Sequence, residues 1–190
     1  MKKTILYIHG VGGENSNKYT ELKNTLPEYN VIKPVQDKDV AKTVQTIEQL
    51  IETSENEKFV LVGSSRGGLI ALNIAYKYDI PVIAINPALE MSKVNFDIGN
   101  RDYLKELADY VIAENSNIEN SRLTNLILGS EDEVIDYRVA EGLNSMTTIV
   151  KKTDHRFSRF NEVIDDIKEI INEYDIVATE SDMFDSVFAD

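Results

Sequence analysis

Short apolar runs rich in β-branched residues recur along the chain and alternate with amphipathic stretches. The runs predict five strands and a weaker sixth at Val31-Ile32. The five clear runs are Thr4 to Ile8, Phe59 to Val62, Val82 to Ile85, Leu126 to Leu128 and Thr147 to Val150. Nearly continuous apolar character is typical of strands that are covered on both faces. The pattern therefore predicts a mostly parallel sheet of about six strands.

Helical spacing marks the segments between these strands. Apolar residues repeat at helix spacing from Val40 to Ile51, from Leu69 to Tyr76 and from Phe157 to Ile171. A further helix-like pattern covers Tyr103 to Val111. Strands that alternate with helices predict an α/β, doubly wound fold.

The length of 190 residues fits one domain. We expect this domain to span residues 1–173 and to be followed by an acidic C-terminal tail, residues 174–190, that is either mobile or a loosely docked helix. The apolar pattern loosens over residues 89–121. That segment is either a small cap over the functional site or a surface excursion with one crossover helix.

The net charge of −13 argues against partners that are themselves strongly negative. Nucleic acids and anionic membranes bind basic surfaces, so we expect neither as a partner. We predict no membrane span, because no apolar run reaches the roughly 18 residues that a bilayer requires. The absence of cysteine excludes disulfides and thiolate ligands. A cytoplasmic location is the default expectation, and oligomeric state is open.

The segment Gly63-Ser64-Ser65-Arg66-Gly67 lies between a predicted strand and a predicted helix. A G-x-S-x-G sequence in this position is typical of a nucleophile elbow, in which glycines allow close backbone approach and the serine hydroxyl is exposed on a tight turn. Plain strand-to-helix turns use the same residue types. Ser65 is therefore the first candidate nucleophile, with Gly63 and Gly67 supporting its turn.

Candidate acid and base residues follow other predicted strands. Ligands bind outside the carboxyl ends of parallel strands, and a serine nucleophile needs a base and an acid that orients the base. His155 follows the last strand and is the predicted base, whereas His9, before a glycine-rich turn, is expected to shape its loop. Asp132 is the predicted acid because it follows a strand and precedes a helix that we expect to begin near Val134. Charge alone does not distinguish it from its neighbours Glu131, Glu133, Asp136 and Asp154.

Backbone N–H groups are the predicted oxyanion donors. One is the N–H of Arg66, directly after the nucleophile, and the other is that of Val11, directly after His9-Gly10. The Arg66 guanidinium either binds an anionic part of the substrate or is an exposed arginine at the start of a helix. This acyl-transfer chemistry uses no metal or organic cofactor, and we expect none.

The order Ser65, Asp132, His155, with His9-Gly10 after the first strand, resembles the α/β-hydrolase superfamily. Shorter segments extend the resemblance to small bacterial esterases of the YqiA/YcfP type. These segments are Leu6 to Gly10, Val62 to Ser65, Asn86 to Ala88, Asp132 to Arg138 and His155 to Phe157. The similarity spans roughly residues 4–172, and Asp132 to Arg138 is its most specific part.

The resemblance implies a compact α/β hydrolase that lacks the first two strands of larger relatives. It also implies a serine hydrolase with Ser65, Asp132 and His155 as its triad, acting on a small-molecule carboxylic ester or thioester. Arg66 departs from the family pattern, which more often has leucine or another uncharged residue there, and Lys152-Thr153-Asp154 replaces a small, glycine-containing approach to the histidine. These departures and the acidic tail favour an alternative, a noncatalytic binding protein that keeps the hydrolase fold.

Overall fold

A computed structural model describes residues 3–54, 57–90, 94, 97–157 and 160–187, with residues 175–187 described for the backbone alone. Six strands and seven helices occur in these residues. They are β1 (Thr4–Ile8), α1 (Lys18–Thr25), β2 (Asn30–Ile32), α2 (Val40–Glu52), β3 (Phe59–Ser64), α3 (Arg66–Tyr78), β4 (Val82–Ile85), α4 (Arg101–Glu114), α5 (Ile118–Leu123), β5 (Thr124–Gly129), α6 (Tyr137–Glu141), β6 (Thr147–Lys151) and α7 (Asn161–Val187).

The strands form one sheet in the order β2-β1-β3-β4-β5-β6, and every neighbouring pair is parallel. All six predicted strands are confirmed, as is the doubly wound α/β class. The strand order reverses at β1, which pairs with β2 on one side and β3 on the other. An open parallel sheet has its binding crevice at such a reversal. The loops that follow β1 and β3 therefore meet at this crevice.

Both faces of the sheet are covered by apolar packing. Leu6 and Leu61 pack into a cluster with side chains of α2, α3 and α4, while Tyr7 and Val62 pack into a second cluster with side chains of α1 and α7. Successive strand residues alternate between the two clusters. This alternation explains why the strands are apolar at nearly every position.

Four helical segments differ from the sequence-based expectation. One is α7, which begins at Asn161 and not at Phe157, because Phe157 has a left-handed φ of 49°. Helices α1 and α5 were not predicted, and α1 buries only one apolar residue, Leu22. The helix expected near Val134 begins at Tyr137 instead, so that expectation is wrong by three residues. The cause is local: the Asp132 carboxylate accepts the N–H groups of Val134 and Ile135, which keeps them in a turn, and Asp136 then caps α6.

The described part of segment 89–121 contains the crossover helix α4. Leu104, Leu107 and Val111 are buried on this helix and join the cluster on the α3 side of the sheet. Residues 91–93, 95 and 96 lie outside the described residues. A small cap over the site stays a prediction.

Helix α7 continues through residues 174–187, the greater part of the predicted tail. At Tyr174 the hydroxyl donates a hydrogen bond to the Leu123 carbonyl (2.8 Å) and contacts the Asn125 amide. This contact ties α7 to the start of β5. Residues 188–190, including Phe188, lie outside the described residues. No described helix has both the length and the hydropathy that a bilayer crossing requires.

Candidate active site

Ser65 occupies a strained turn between β3 and α3. Its φ of 56° and ψ of −122° lie in a backbone region that residues other than glycine rarely adopt. Hydrogen bonds hold the turn on both sides. The Ser65 N–H donates to the Ile85 carbonyl (2.9 Å), and the Ser65 carbonyl accepts the N–H groups of Gly68, Leu69 and Ala88. The sheet and the new helix together fix the strained serine.

The two loops at the crevice touch backbone to backbone. A Cβ atom on Gly67 would lie 2.6 Å from the His9 carbonyl oxygen, and one on Gly63 would lie 2.7 Å from the Ala71 Cβ. A Cβ on Gly10 would lie 3.0 Å from the Cβ of Ser65. The contact at Gly67 is too short for any side chain and the one at Gly10 is tight, so these two glycines allow the first loop to lie against Ser65.

The structure brings Ser65, His155 and Asp132 into one hydrogen-bonded series. The His155 Nε2 lies 3.0 Å from the Ser65 Oγ, and the His155 Nδ1 lies 2.7 Å from the Asp132 Oδ2. The Asp132 side chain has no exposed surface, and that of His155 is 13% exposed. The three side chains follow β3, β5 and β6, as the sequence predicted. Burial strengthens these polar contacts, because little water competes for them.

The neighbouring carboxylates make other contacts. Glu133 accepts the backbone N–H of His155 (3.3 Å), Glu131 pairs with Lys152 (3.6 Å), and Asp136 caps α6. The carboxylate that lies against the His155 imidazole is that of Asp132.

Four N–H donors converge on the Asp132 carboxylate. Its Oδ1 accepts the backbone N–H groups of Val134 and Ile135, both at 2.8 Å. Its Oδ2 accepts the Asn86 Nδ2 at 2.7 Å as well as the imidazole of His155. These bonds satisfy both oxygens of a fully buried carboxylate and fix the direction in which it faces His155.

Asn86 is a residue for which the sequence suggested no role. It is 1% exposed, has a φ of 42°, and follows β4. The Gly129 N–H donates to the Asn86 Oδ1 (2.7 Å), which assigns the oxygen end of the amide and directs the nitrogen end at Asp132. Its position directly after a strand, like that of Ser65 and His9, is the signal that could have identified it.

Val11 and Arg66 carry the backbone N–H groups that the sequence predicts as oxyanion donors. Both residues border the cavity that contains Ser65. Among the described residues, neither backbone N–H donates to a protein acceptor. Both N–H groups therefore remain available to a substrate oxygen.

His9 is buried and hydrogen-bonds within its own loop. Its Nδ1 lies 2.7 Å from the Gly10 carbonyl oxygen, which also accepts the Gly13 N–H. Burial lowers the pKa of His9, and the charges of Lys33 and Arg66 lower it further. A neutral imidazole that donates to Gly10 fits the expectation that His9 shapes this loop.

Arg66 has a buried side chain, so the expectation of an exposed arginine is wrong. The residue is 9% exposed, and its Nη1 donates to the Ile98 carbonyl (3.0 Å). Arg66 and Ile98, whose carbonyl accepts this bond, both line the small cavity beside Ser65, which has a volume of about 10 Å³. A concavity of about 620 Å³ among α2, α3 and α4 is larger, but none of the predicted site residues lines it.

Lys18 is a second, half-buried cation near the site, and sequence reasoning did not identify it. Its Nζ contacts the Ser64 Oγ (3.4 Å) and lies over the rings of Phe157 and Phe160. Burial lowers the pKa of Lys18 to about 8, although the charge of Asp154 opposes this shift. Within the described residues, no cluster of three acidic or histidine side chains could hold a metal ion.

The architecture is that of the α/β hydrolases. Est1E from Butyrivibrio proteoclasticus superposes with a TM-score of 0.69 at 18% identity, covering 90% of this chain and 88% of that one. A monoacylglycerol lipase from Paleococcus ferrophilus gives 0.67 at 18% identity, covering 87% and 92%. Mouse alpha/beta hydrolase domain-containing protein 10 gives 0.63 at 18% identity, covering 90% of each chain.

The chain belongs to an uncharacterised protein family, UPF0227, whose model matches residues 4–172. This match confirms the resemblance to α/β hydrolases of the YqiA/YcfP type over the predicted extent. No curated protein matches the chain.

Proposed function

We propose that this protein is a serine hydrolase that cleaves a carboxylic ester or thioester through an acyl-enzyme on Ser65. One observation carries the proposal: an unbroken hydrogen-bonded series joins the Ser65 Oγ, the His155 imidazole and the buried Asp132 carboxylate. A strained serine, a base within hydrogen-bond reach and an acid behind the base are the parts that nucleophilic acyl transfer requires.

His155 moves the protons of the reaction. Its Nε2 takes the Ser65 proton as the Oγ attacks the carbonyl carbon, and the same nitrogen then gives that proton to the leaving alcohol or thiol as the carbon–heteroatom bond breaks. A water molecule, deprotonated by His155, attacks the acyl-enzyme and releases the carboxylic acid. Serine and imidazole return to their starting states.

Other groups serve this cycle without exchanging protons. Asp132 accepts the Nδ1–H of His155, so the lone pair of the Nε2 faces Ser65. The backbone N–H groups of Val11 and Arg66 stabilise the oxyanion, and the N-terminus of α3 contributes its dipole there. The fold of a monoacylglycerol lipase is consistent with an ester substrate.

Covalent labelling tests the proposal directly. Intact-mass analysis after incubation with a fluorophosphonate should give one adduct per chain, absent in Ser65→Ala and strongly reduced in His155→Ala. Ser64→Ala is the matched control, because it removes the neighbouring serine hydroxyl and should label fully.

Turnover provides the second readout. Ser65→Ala and His155→Ala should each lower kcat by at least about 10³-fold, since only binding and oxyanion effects would remain. Near-normal turnover by either variant refutes the triad. A folded natural protein that gives no adduct instead favours the noncatalytic binding protein.

A further inference from the structure

Arg66 carries a buried charge without an acidic partner. The residue is 9% exposed, its Nη1 bonds only a neutral carbonyl, and its Nε is buried without a hydrogen-bond partner among the described residues. Burial lowers the pKa of Arg66, while Glu14 and Asp97 act in the opposite direction from beyond ion-pair distance. A buried charge is unfavourable unless it is paired.

Arg66 lacks an acidic partner in the described part of the chain, although the chain as a whole is rich in acidic residues. The chain has 33 acidic and 20 basic side chains, yet none of the described carboxylates forms an ion pair with Arg66. The five residues outside the described set between Glu90 and Asp97 contain no acid either. Because no described residue supplies this anion, one from outside the protein can complete the site.

The guanidinium faces the acyl side of the reaction centre. Arg66 borders the cavity that also contains Ser65 and Val11, and it is the only charged group among the described residues that line it. His155 is not part of this lining, and the leaving group must lie near His155 to receive its proton. The cavity is therefore on the side of the carbonyl that carries the acyl chain.

The chemistry of the cavity selects one kind of anion. A guanidinium fork pairs best with a planar carboxylate or a phosphate. The cavity is small and, apart from Ser65 and Arg66, its described lining residues are apolar, so it favours a carboxylate over the larger phosphate and short acyl chains over long ones.

We propose that Arg66 makes the site selective for esters or thioesters of short dicarboxylic acids, whose second carboxylate pairs with the guanidinium. This inference rests on the proposed function and names the substrate class of the same site. An acyl chain without a terminal charge leaves Arg66 buried and unpaired, so it is the poorer substrate.

Two esters of matched shape test the proposal. Monoethyl succinate ends in a carboxylate, and ethyl 4-methylpentanoate has a neutral isopropyl group in its place. An ethyl leaving group is used because aryl hemisuccinates hydrolyse spontaneously through attack by their own carboxylate. The measured quantity is the ratio of the two kcat/KM values, obtained from ethanol release, in the natural protein and in Arg66 variants.

The natural protein should prefer the succinate ester, and Arg66→Met should lower the ratio by about 10- to 100-fold, the range expected for charge-assisted hydrogen bonds. Arg66→Lys keeps the charge but loses the planar guanidinium, so its ratio should lie between those of the natural protein and Arg66→Met. If Arg66→Met does not fold, Arg66→Gln replaces it. Arg122→Met, which removes an exposed arginine, is the matched control and should leave the ratio unchanged.

Failure of this inference is distinguishable from failure of the proposed function. A labelled Ser65 with neutral-ester preference, or with a ratio that Arg66→Met does not alter, overturns the inference and leaves the hydrolase standing. If Ser65 does not label and neither ester is hydrolysed, the proposed function fails. Calorimetric titration with monoethyl succinate then decides whether a carboxylate site exists, because binding that Arg66→Met abolishes supports it and absence of binding overturns it.

Discussion

The candidate site has two sides that are held in place by different means. On the nucleophile side, formed by the loops after β1 and β3, backbone contacts position Ser65, and a Cβ on Gly67 would lie 2.6 Å from the His9 carbonyl. On the acid–base side, formed by the loops after β4, β5 and β6, side-chain hydrogen bonds position His155 and Asp132.

This difference determines how each side fails. On the nucleophile side the backbone segments are in close contact, so a substitution that adds atoms there should disrupt it. The acid–base side depends on named polar atoms, so it is disrupted by removing them with little change of shape. Steric and polar substitutions therefore separate the two sides experimentally.

The largest effect is expected on the acid–base side. Asp132→Asn keeps the shape but presents an amide where the imidazole needs an acceptor, so kcat should fall by at least about 10³-fold. Glu133→Gln is the control, because this carboxylate reaches only the backbone N–H of His155 and its loss should change kcat less than about threefold. Steady-state kinetics on a reactive ester measures both. Similar losses in the two variants would contradict the choice of Asp132.

A steric change should damage the nucleophile side next. Gly67→Ala places a methyl group against backbone oxygens of the first loop, which cannot move without disturbing β1, and should destabilise the protein by about 3 kcal/mol. Gly142→Ala is the matched control, since its Cβ would come no closer than 3.4 Å to the Val139 carbonyl oxygen. Urea unfolding measures the difference. Equal stability of the two variants would refute the close approach of the loops.

Removal of the Asn86 amide should have an intermediate effect that is specific to the acid–base side. Asn86→Ala deletes one donor to Asp132 while touching no substrate, so kcat should fall by about 10- to 100-fold with KM unchanged. Asn120→Ala deletes another buried asparagine, whose amide donates to the Glu114 carbonyl, and should lower stability without altering kcat. A raised KM in Asn86→Ala, or an equal loss of kcat in both variants, would argue against a positioning role.

The smallest effect concerns Lys18, which lies beside the nucleophile side. Its pKa of about 8 in the folded protein is below the ordinary value of 10.5, so the unfolded chain binds more protons between these two pH values. The stability contribution of Lys18 therefore rises with pH across that window and is at its lowest below pH 8.

Lys18→Met should consequently raise the free energy of unfolding at pH 7, an advantage that shrinks as the pH passes 8. Lys23→Met, on the exposed side of the same helix, should have no such pH-dependent effect. Denaturant unfolding from pH 6 to 10 distinguishes the two. A constant difference between Lys18→Met and the natural protein would contradict the burial of this charge.

The sequence predicted the sheet well because each strand is buried on both faces and so carries an uninterrupted apolar signal. Short helices gave no such signal: α1 buries only Leu22 and packs a partly buried Tyr19 against the same cluster. The start of α6 was displaced because the Asp132 carboxylate competes for the N–H groups of Val134 and Ile135. Such competition depends on tertiary position, which periodicity does not contain.

For the candidate site, the ends of the predicted strands indicated which residues to examine. They did not indicate which of these residues contact one another in the folded protein. Ser65, Asp132 and His155 could be proposed because their order along the chain is informative. Asn86 and Lys18 could not, since their contacts lie 46 residues away in sequence, to Asp132 and Ser64 respectively. The burial of Arg66 likewise depends on packing against the segment around Ile98, where the apolar pattern is irregular.

The hydrogen bond between Ser65 and His155 joins residues 90 positions apart. Its two ends follow β3 and β6, and the strands between them, β4 and β5, must already be paired for the ends to meet. Contacts of such high sequence separation form late, because a long loop must close first. During refolding, reactivity of Ser65 should therefore appear after the sheet is complete, and an activity-based probe would then report the last step of folding as well as the chemistry.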